Sequence, residues 1–466
     1  MKRKMVLMLT GITALALGMS GAAGCKQQKT GPAFEDGKAV IAAAGCKSAY
    51  KLVTDEYAET DTLDAAAFIV DALRSALNAR ISQESGQDIG DTKYILAFGA
   101  SEVPECFELT QALKKDEYAI KVSKSTDADR IVISVAFRGD LARTCAVDRL
   151  LTEFYDAENG RLALPENTDI KGSVTPEESV ITTPVSLRDP CIVIENGVYY
   201  MYGTGWKYFK NTSGSLAGAW EGPFQMTEQK PEDSDTQYWA PEVHKYNGAF
   251  YMFATYHKVS SDHRGCAIFR ADTPEGPFEM ISDGHVTPAE WDCIDGTLYV
   301  DNAGQPWMVF VHEWTGNADG IGRMSAAKLS PDLTKLISEP KDIFMGTDAP
   351  WATGNITDGP WLYPASDGSL LMLWSNFDEA GYAVGMARSE SGKITGPWKQ
   401  LPYELYSQRL SASYDGGHGM LFRDTDGQLY LSIHSPNSKT GNRETLAIFV
   451  PVHEIGNTLW WEFTAK

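Results

Sequence analysis

Residues 195–205 read ENGVYYMYGTG and residues 246–256 read YNGAFYMFATY, in each case an Asn-Gly pair followed by an aromatic, apolar run. Asn-Gly ahead of such a run is a strong hairpin signal, because both residues tolerate the positive φ that a two-residue turn between twisted strands requires. The arrangement recurs as DNAG before Gln305 and PWMVFVHEW, SDG before Ser369 and LLMLWSN, and TDG before Gln428 and QLYLSIHS. These turns fall about 50 to 60 residues apart, the length of one four-stranded propeller blade. A second mark repeats out of phase: AWEGPF from Ala219, TPEGPF from Thr273 and ITGPW from Ile394, each read as a Gly-Pro-aromatic turn into an outer strand. The expectation is an all-β, five-bladed β-propeller over residues 179–466.

Upstream the texture differs. Leu63, Ala67, Val70, Leu73 and Leu77 follow helical spacing behind Asp61, a candidate cap. Tyr94–Phe98, Tyr118–Val122 and Ile131–Phe137 read as strands, and Leu141–Tyr155 as a second amphipathic helix. Residues 47–157 are therefore expected to form a small α/β domain. Its run DEYAIKV, then IVISVAF, then AVDRLLTEFY resembles the accessory domain ahead of the catalytic domain in bacterial β-hexosaminidase-type and α-glucuronidase-type enzymes. Residues 158–178, with Asn159, Gly160, Pro165, Gly172 and Pro176, lack periodicity and are read as a linker, and 26–46 as a polar tether.

The first 25 residues read as an address. Lys2, Arg3 and Lys4 precede an apolar run from Met5 to Met19, and Ala22, Ala23 and Gly24 lead into Cys25. Small residues before a cysteine resemble the bacterial lipoprotein signal, which implies a lipidated Cys25 and a chain tethered in the cell envelope outside the cytoplasm. The six later cysteines form no CxxC, so a structural zinc site is not expected. A Cys106–Cys145 disulfide is possible in an oxidising compartment, while Cys191, Cys266 and Cys293 read as buried small hydrophobes. With 62 acidic against 41 basic side chains, the net charge of −21 opposes binding to nucleic acid and leaves uncharged, sugar-like ligands open. No protein partner is expected.

Ahead of each hairpin lies a short motif where an innermost strand belongs: Arg188-Asp189-Pro190, Trp239-Ala240-Pro241-Glu242, Ile294-Asp295-Gly296, Thr357-Asp358-Gly359-Pro360 and Gly417-His418-Gly419. Innermost strands surround one channel, so these sets converge although distant in sequence. Carboxylates gathered there raise one another's pKa, which is how one stays protonated as an acid while another stays ionised as a base.

This order of motifs resembles glycoside hydrolase family 43, five-bladed propellers that hydrolyse arabinose-, xylose- or galactose-containing glycans with inversion. The resemblance implies Asp189 as general base, Asp295 as the residue that holds geometry and tunes pKa, and Asp358 as general acid, where the family usually has Glu. It implies substrate-contacting roles for Trp239 and Glu242, with Glu242 as reserve acid, and a channel-facing His418 that helps hold a calcium ion or water. With no DxDxDG loop present, such an ion would depend on His418 and waters rather than on a dedicated carboxylate cage. His312, Trp314 and Trp361 are candidate pocket walls. An inverting enzyme holds its two carboxyls ~6.5 to 9.5 Å apart, leaving room for a water. Invertase-like enzymes place RDP in a middle motif ahead of an EC acid, and sialidases need an arginine cluster and Asp-box turns; neither pattern is visible. The expected function is hydrolysis of polysaccharide or oligosaccharide side chains, α-L-arabinofuranosidase first and β-xylosidase next. The alternative is a non-catalytic glycan-binding propeller.

Overall fold

The computed structural model describes residues 28–86, 89–125, 130–175, 180–441 and 443–463. The signal segment and Cys25 lie outside the described residues. Strand is the commonest secondary structure among the described residues. Four antiparallel four-stranded sheets follow one another in chain order, from Cys191–Glu195 to Glu221–Gln225, Ser234–Tyr246 to Glu279–Met280, Cys293–Val300 to Lys341–Met345, and Asp358–Pro364 to Trp398–Tyr406. The fifth is built on Gly417–Arg423, Leu429–Ser435 and Leu446–Ile455. Its outer strand, Ile181–Thr182, comes from ahead of the first sheet and pairs with Phe449 and Ile448. The first strand of each sheet touches the first strand of the next, and Cys191–Glu195 touches Gly417–Arg423.

The turns behave as their chemistry requires. Asn196 and Gly197 have φ 51° and 79° and let Glu195 pair with Val198; Asn247 and Gly248, at 47° and 84°, do the same for Tyr246 and Ala249. The Gly-Pro-aromatic marks precede the outer strands of the second sheet and the fourth. In the first sheet Gly222-Pro223 lies inside the outer strand Glu221–Gln225.

Ahead of these sheets stands a six-stranded mixed sheet ordered Asp169–Ser173, Glu117–Ser125, Arg130–Arg138, Tyr94–Phe98, Lys47–Thr54 and Arg80–Ser85. Its last three pairings are parallel. Helices Thr60–Leu77, Pro104–Gln111 and Asp140–Glu153 accompany it. Several local expectations need correction. Asp61 is not the cap: the position belongs to Glu59, which makes no side-chain cap bond, and Asp61 lies inside the helix, paired with Arg143 at 2.8 Å. The tether and linker both contain strands. Lys38–Ala43 and Arg161–Pro165 pair with each other, Ala39 opposite Leu164, and Asp169–Ser173 pairs with Glu117–Lys121. Each of these strands is completed by a partner far along the chain, which a local pattern does not register. Cys106 and Cys145 are free and buried in two different hydrophobic clusters. Cys191, Cys266 and Cys293 are free and buried, as read.

The mixed-sheet segment is packed onto the fourth and fifth sheets. Phe68 stacks on Trp460 at 4.1 Å between ring centroids, and the Trp460 indole N–H donates to the Thr144 carbonyl. Asp71 accepts from Arg388 Nη2 at 2.6 Å and from the Tyr403 hydroxyl at 2.8 Å, with the Arg388 side chain only 3% exposed. Burial alone would raise the Asp71 pKa; Arg388, Tyr403 and Arg74 outweigh it and hold the carboxyl below its ordinary value.

Candidate active site

Four of the innermost strands carry one residue in the left-handed region, Ala240 (φ 37°), Asp295 (56°), Gly359 (50°) and His418 (54°), and Asp189 (56°) stands two residues ahead of the fifth, Cys191–Glu195. In four of the sheets, pairing with the second strand slips at that point, between Trp239 and Glu242, Ile294 and Thr297, Asp358 and Trp361, and Gly417 and Met420. This is a bulge repeated around the molecule, and it re-aims side chains toward the shared centre. Positive φ is costly for non-glycine residues, so the surroundings must hold it.

They do so through the freed backbone N–H groups. Ala240 donates to Thr204 Oγ1, Asp295 to Thr255 Oγ1 and His418 to Ser375 Oγ, each at 2.9 Å, and Asp189 donates to His434 Nδ1 at 3.2 Å. Each acceptor sits on, or just past, the second strand of the preceding sheet. In the third sheet the equivalent position is Val311, paired with Ile294 as Thr255 is with Trp239, and valine cannot accept. The Gly359 N–H turns instead to Asp295 Oδ2 at 3.0 Å, which pins that carboxylate. Gly359 must be glycine, because a Cβ there would come within 2.9 Å of the His418 ring. These hydroxyls and His434 were missed by reading motifs alone. Their sequence signal is a Thr, Ser or His near the end of four of the five aromatic runs.

The three candidate catalytic carboxylates come together with His418. His418 Nδ1 lies 3.4 Å from Asp189 Oδ1 and 3.7 Å from Asp295 Oδ2, with side chains of 11%, 10% and 5% exposure respectively. Asp189 Oδ2 also accepts from the Thr204 hydroxyl. Asp358 Oδ2 accepts from the Tyr382 hydroxyl at 2.8 Å. His434 Nε2 faces Asn437 Oδ1 at 3.1 Å, so the ring donates there and accepts the Asp189 N–H at Nδ1, a neutral imidazole.

These surroundings separate the carboxyls. Burial would raise Asp189, but the His418 ring, above all, and Arg188 overcome it and hold the group far below the usual carboxylate range. Burial and the Asp295 charge push Asp358 up to about 7, against the pull of His418 and the Tyr382 hydrogen bond. Asp295 rises to about 6, mainly through burial, opposed by His418 and the Gly359 N–H. Burial lowers His418, but the three aspartates and Glu242 more than reverse this and favour its cationic form. The site thus holds an ionised carboxylate and a protonated carboxyl in the same pH range.

The remaining expected site residues divide. Trp239 lies just ahead of the bulge at Ala240, His312 ends its strand opposite Cys293, two residues from Asp295, and Trp314 opens the short 3₁₀ turn Trp314–Gly316 that follows. Arg264 spans Trp239 and Glu313, with its guanidinium 5.5 Å from the indole and Nε 2.6 Å from Glu313, and His312 stacks on Trp291 at 4.0 Å. Glu242 and Trp361 lie two residues beyond the bulge, one layer along the inner strands. Glu242 Oε2 is 3.1 Å from His244 Nε2, and Trp361 stacks on the same His244 ring. Both therefore meet on the His244 ring, and Glu242 still adds its charge to those that act on His418.

Buried carboxylates from three of the five sheets thus gather around one histidine of another. The chain matches glycosyl hydrolases family 43 over residues 178–450, and it belongs to that family. An endo-arabinase structure from Bacteroides thetaiotaomicron VPI-5482 is 34% identical with a TM-score of 0.53, over 60% of this chain and 98% of that one. An endo-1,4-beta-xylanase structure from the same organism, 23% identical with a TM-score of 0.51 over 61% and 96%, shares the fold. An extracellular exo-alpha-(1->5)-L-arabinofuranosidase of Cellvibrio japonicus (strain Ueda107) is 24% identical over 182 residues, 34% of this chain and 47% of that relative. The chain thus spans less than half the length of the curated relatives it matches.

Proposed function

We propose that the protein is an inverting glycoside hydrolase that releases arabinose, or xylose or galactose, from polysaccharide or oligosaccharide side chains. The observation that carries this is the convergence of Asp189, Asp295 and Asp358, from three separate sheets, on the one His418 ring. Asp189, held ionised, is the base that takes a proton from the attacking water. Asp358, held protonated, gives one to the leaving oxygen. Asp295 keeps His418 in place through its own carboxylate and supports the Asp358 proton by charge repulsion. The ring of contacts between first strands supports a five-bladed propeller. The mixed sheet and its helices support an α/β module that braces the last two blades. A non-catalytic glycan binder is not favoured, since capturing a neutral sugar gives no reason to crowd three carboxyls together out of water.

Arabinan-type substrates come first because the endo-arabinase and the arabinofuranosidase carry that activity in their names. For calcium, the donors around His418 are one ring nitrogen and two carboxylates already engaged with it, short of the six to eight oxygens that the ion takes. Among the described residues no group of three or more His, Cys, Asp or Glu is placed to hold a metal. Among the described residues no helix is long and apolar enough to cross a membrane. Attachment to the cell envelope through Cys25 rests on the signal-like sequence alone. The test of function is hydrolysis of nitrophenyl glycosides, arabinan, xylan and galactan, with proton NMR of the first-formed anomer. Inverted product supports the assignment, and retained product or no turnover on any of them refutes it.

A further inference from the structure

Tyr382 lies outside every motif that marks the site, yet its hydroxyl is the hydrogen-bond donor to the side chain of Asp358. The residue is 3% exposed and opens the third strand of the fourth sheet, Tyr382–Ser389. Its backbone N–H donates to Asp415 Oδ2 at 3.1 Å, and its carbonyl accepts from Gly416 at 3.0 Å. Its ring stacks on His434 at 5.7 Å with an interplanar angle of 24°. Asp415 Oδ1 accepts the Asn437 N–H, and Asn437 Oδ1 in turn faces His434, the acceptor of the Asp189 N–H. One bonded frame therefore fixes both the tyrosine beside Asp358 and the backbone of Asp189. Gly417 is what admits the ring, since a Cβ there would stand 2.5 Å from Tyr382.

Building on the assignment of Asp358 as acid, we propose that Tyr382 is the positioning residue that decides which oxygen of Asp358 carries the transferable proton, and so allows an aspartate to serve where a longer side chain is usual. A hydroxyl that always donates to Oδ2 leaves Oδ1 as the protonated, free oxygen that faces the leaving group. When the proton passes to the leaving oxygen, the same hydrogen bond stabilises the carboxylate left behind. Burial, chiefly, and the Asp358 charge keep the phenol itself from ionising, so its donor role does not change with pH.

The test is Tyr382→Phe in the full chain, measured beside Asp358→Asn and the double variant. Loss of one hydrogen bond to a charged group predicts a fall of ~10- to 10²-fold in kcat/KM on an oligosaccharide. On an aryl glycoside that needs no acid the loss is small. The alkaline limb of the oligosaccharide pH profile moves to higher pH, because the carboxylate has lost a donor. Added to Asp358→Asn, the tyrosine change costs little more. Equal losses on both substrates, or an unmoved limb, overturn the inference and leave Tyr382 a packing residue. If Tyr382→Phe does not fold, Gly417→Ala must reproduce the substrate selectivity and limb shift, and failure to do so also overturns it. Should Asp358→Asn itself show no substrate selectivity, the acid assignment fails; a selective Asp358→Asn with a silent Tyr382→Phe refutes this inference alone.

Discussion

Replacing Asp358 by asparagine removes the transferable proton, and with it the charge that transfer would leave behind, from a site otherwise unchanged in shape. The amide still accepts from the Tyr382 hydroxyl, 2.8 Å away in the native chain, so geometry is kept and acid catalysis is lost. With its pKa raised to about 7, native Asp358 is protonated in slightly acid solution and can supply that proton. General acids contribute ~10² to 10⁴ in rate, which is ~2.7 to 5.5 kcal/mol at 1.36 kcal/mol per decade. That loss is expected in kcat/KM on arabino-oligosaccharides, whose leaving oxygen must be protonated. On a nitrophenyl arabinoside, where the leaving phenolate needs no proton, the fall should be smaller by at least ~10-fold. In the native chain the alkaline limb of the oligosaccharide profile should lie near pH 7, set by deprotonation of this carboxyl, and the limb should vanish in the variant. Initial rates on both substrates across pH, with circular dichroism to confirm folding, decide the matter. Equal losses on the two substrates, or a limb that survives the substitution, would refute the assignment.

Three further outcomes are expected. Asp189→Asn should impair both substrates by ~10² or more, because water must be activated whatever leaves; retention of aryl glycosidase activity would remove Asp189 from the base role. Glu242→Gln should leave the ratio of the two rates within about threefold, since Glu242 is engaged with His244 one layer from the acid, whereas a selective loss on oligosaccharide would move the acid there. Asp71→Asn should destabilise the chain by ~3 to 5 kcal/mol at pH 7, because it strands the buried Arg388 guanidinium. The Asp71 pKa is lowered in the folded chain, so its contribution is present above the unfolded value of ~3.9 and is lost as pH falls through the folded value. Chemical denaturation of the two proteins should therefore converge in acid, and a constant gap down to pH 2 would contradict the ion-pair account.

The sequence by itself determined what is local. Asn-Gly turns and aromatic runs spaced about a blade apart specify antiparallel sheets, because turn chemistry and strand alternation act within a few residues. The motifs could be placed on inner strands for the same reason, although Arg188-Asp189-Pro190 falls just ahead of its strand Cys191–Glu195, and Asp189, Asp295, Asp358 and His418 were picked out by position in that repeat. What only the tertiary structure decided depends on pairings between distant segments. Lys38–Ala43 is a strand because Arg161–Pro165 lies beside it, and Ile181–Thr182 completes the fifth sheet from the far side of the repeat. Glu242 and Asp358 look alike as motif carboxylates, but a two-residue offset from the bulge gives one to His244 and leaves the other to Tyr382 and the shared centre. Tyr382 and His434 carry no motif; they matter because hydrogen bonds reach only about 3 Å, and which groups come within that reach is fixed by packing sheets together, not by order along the chain.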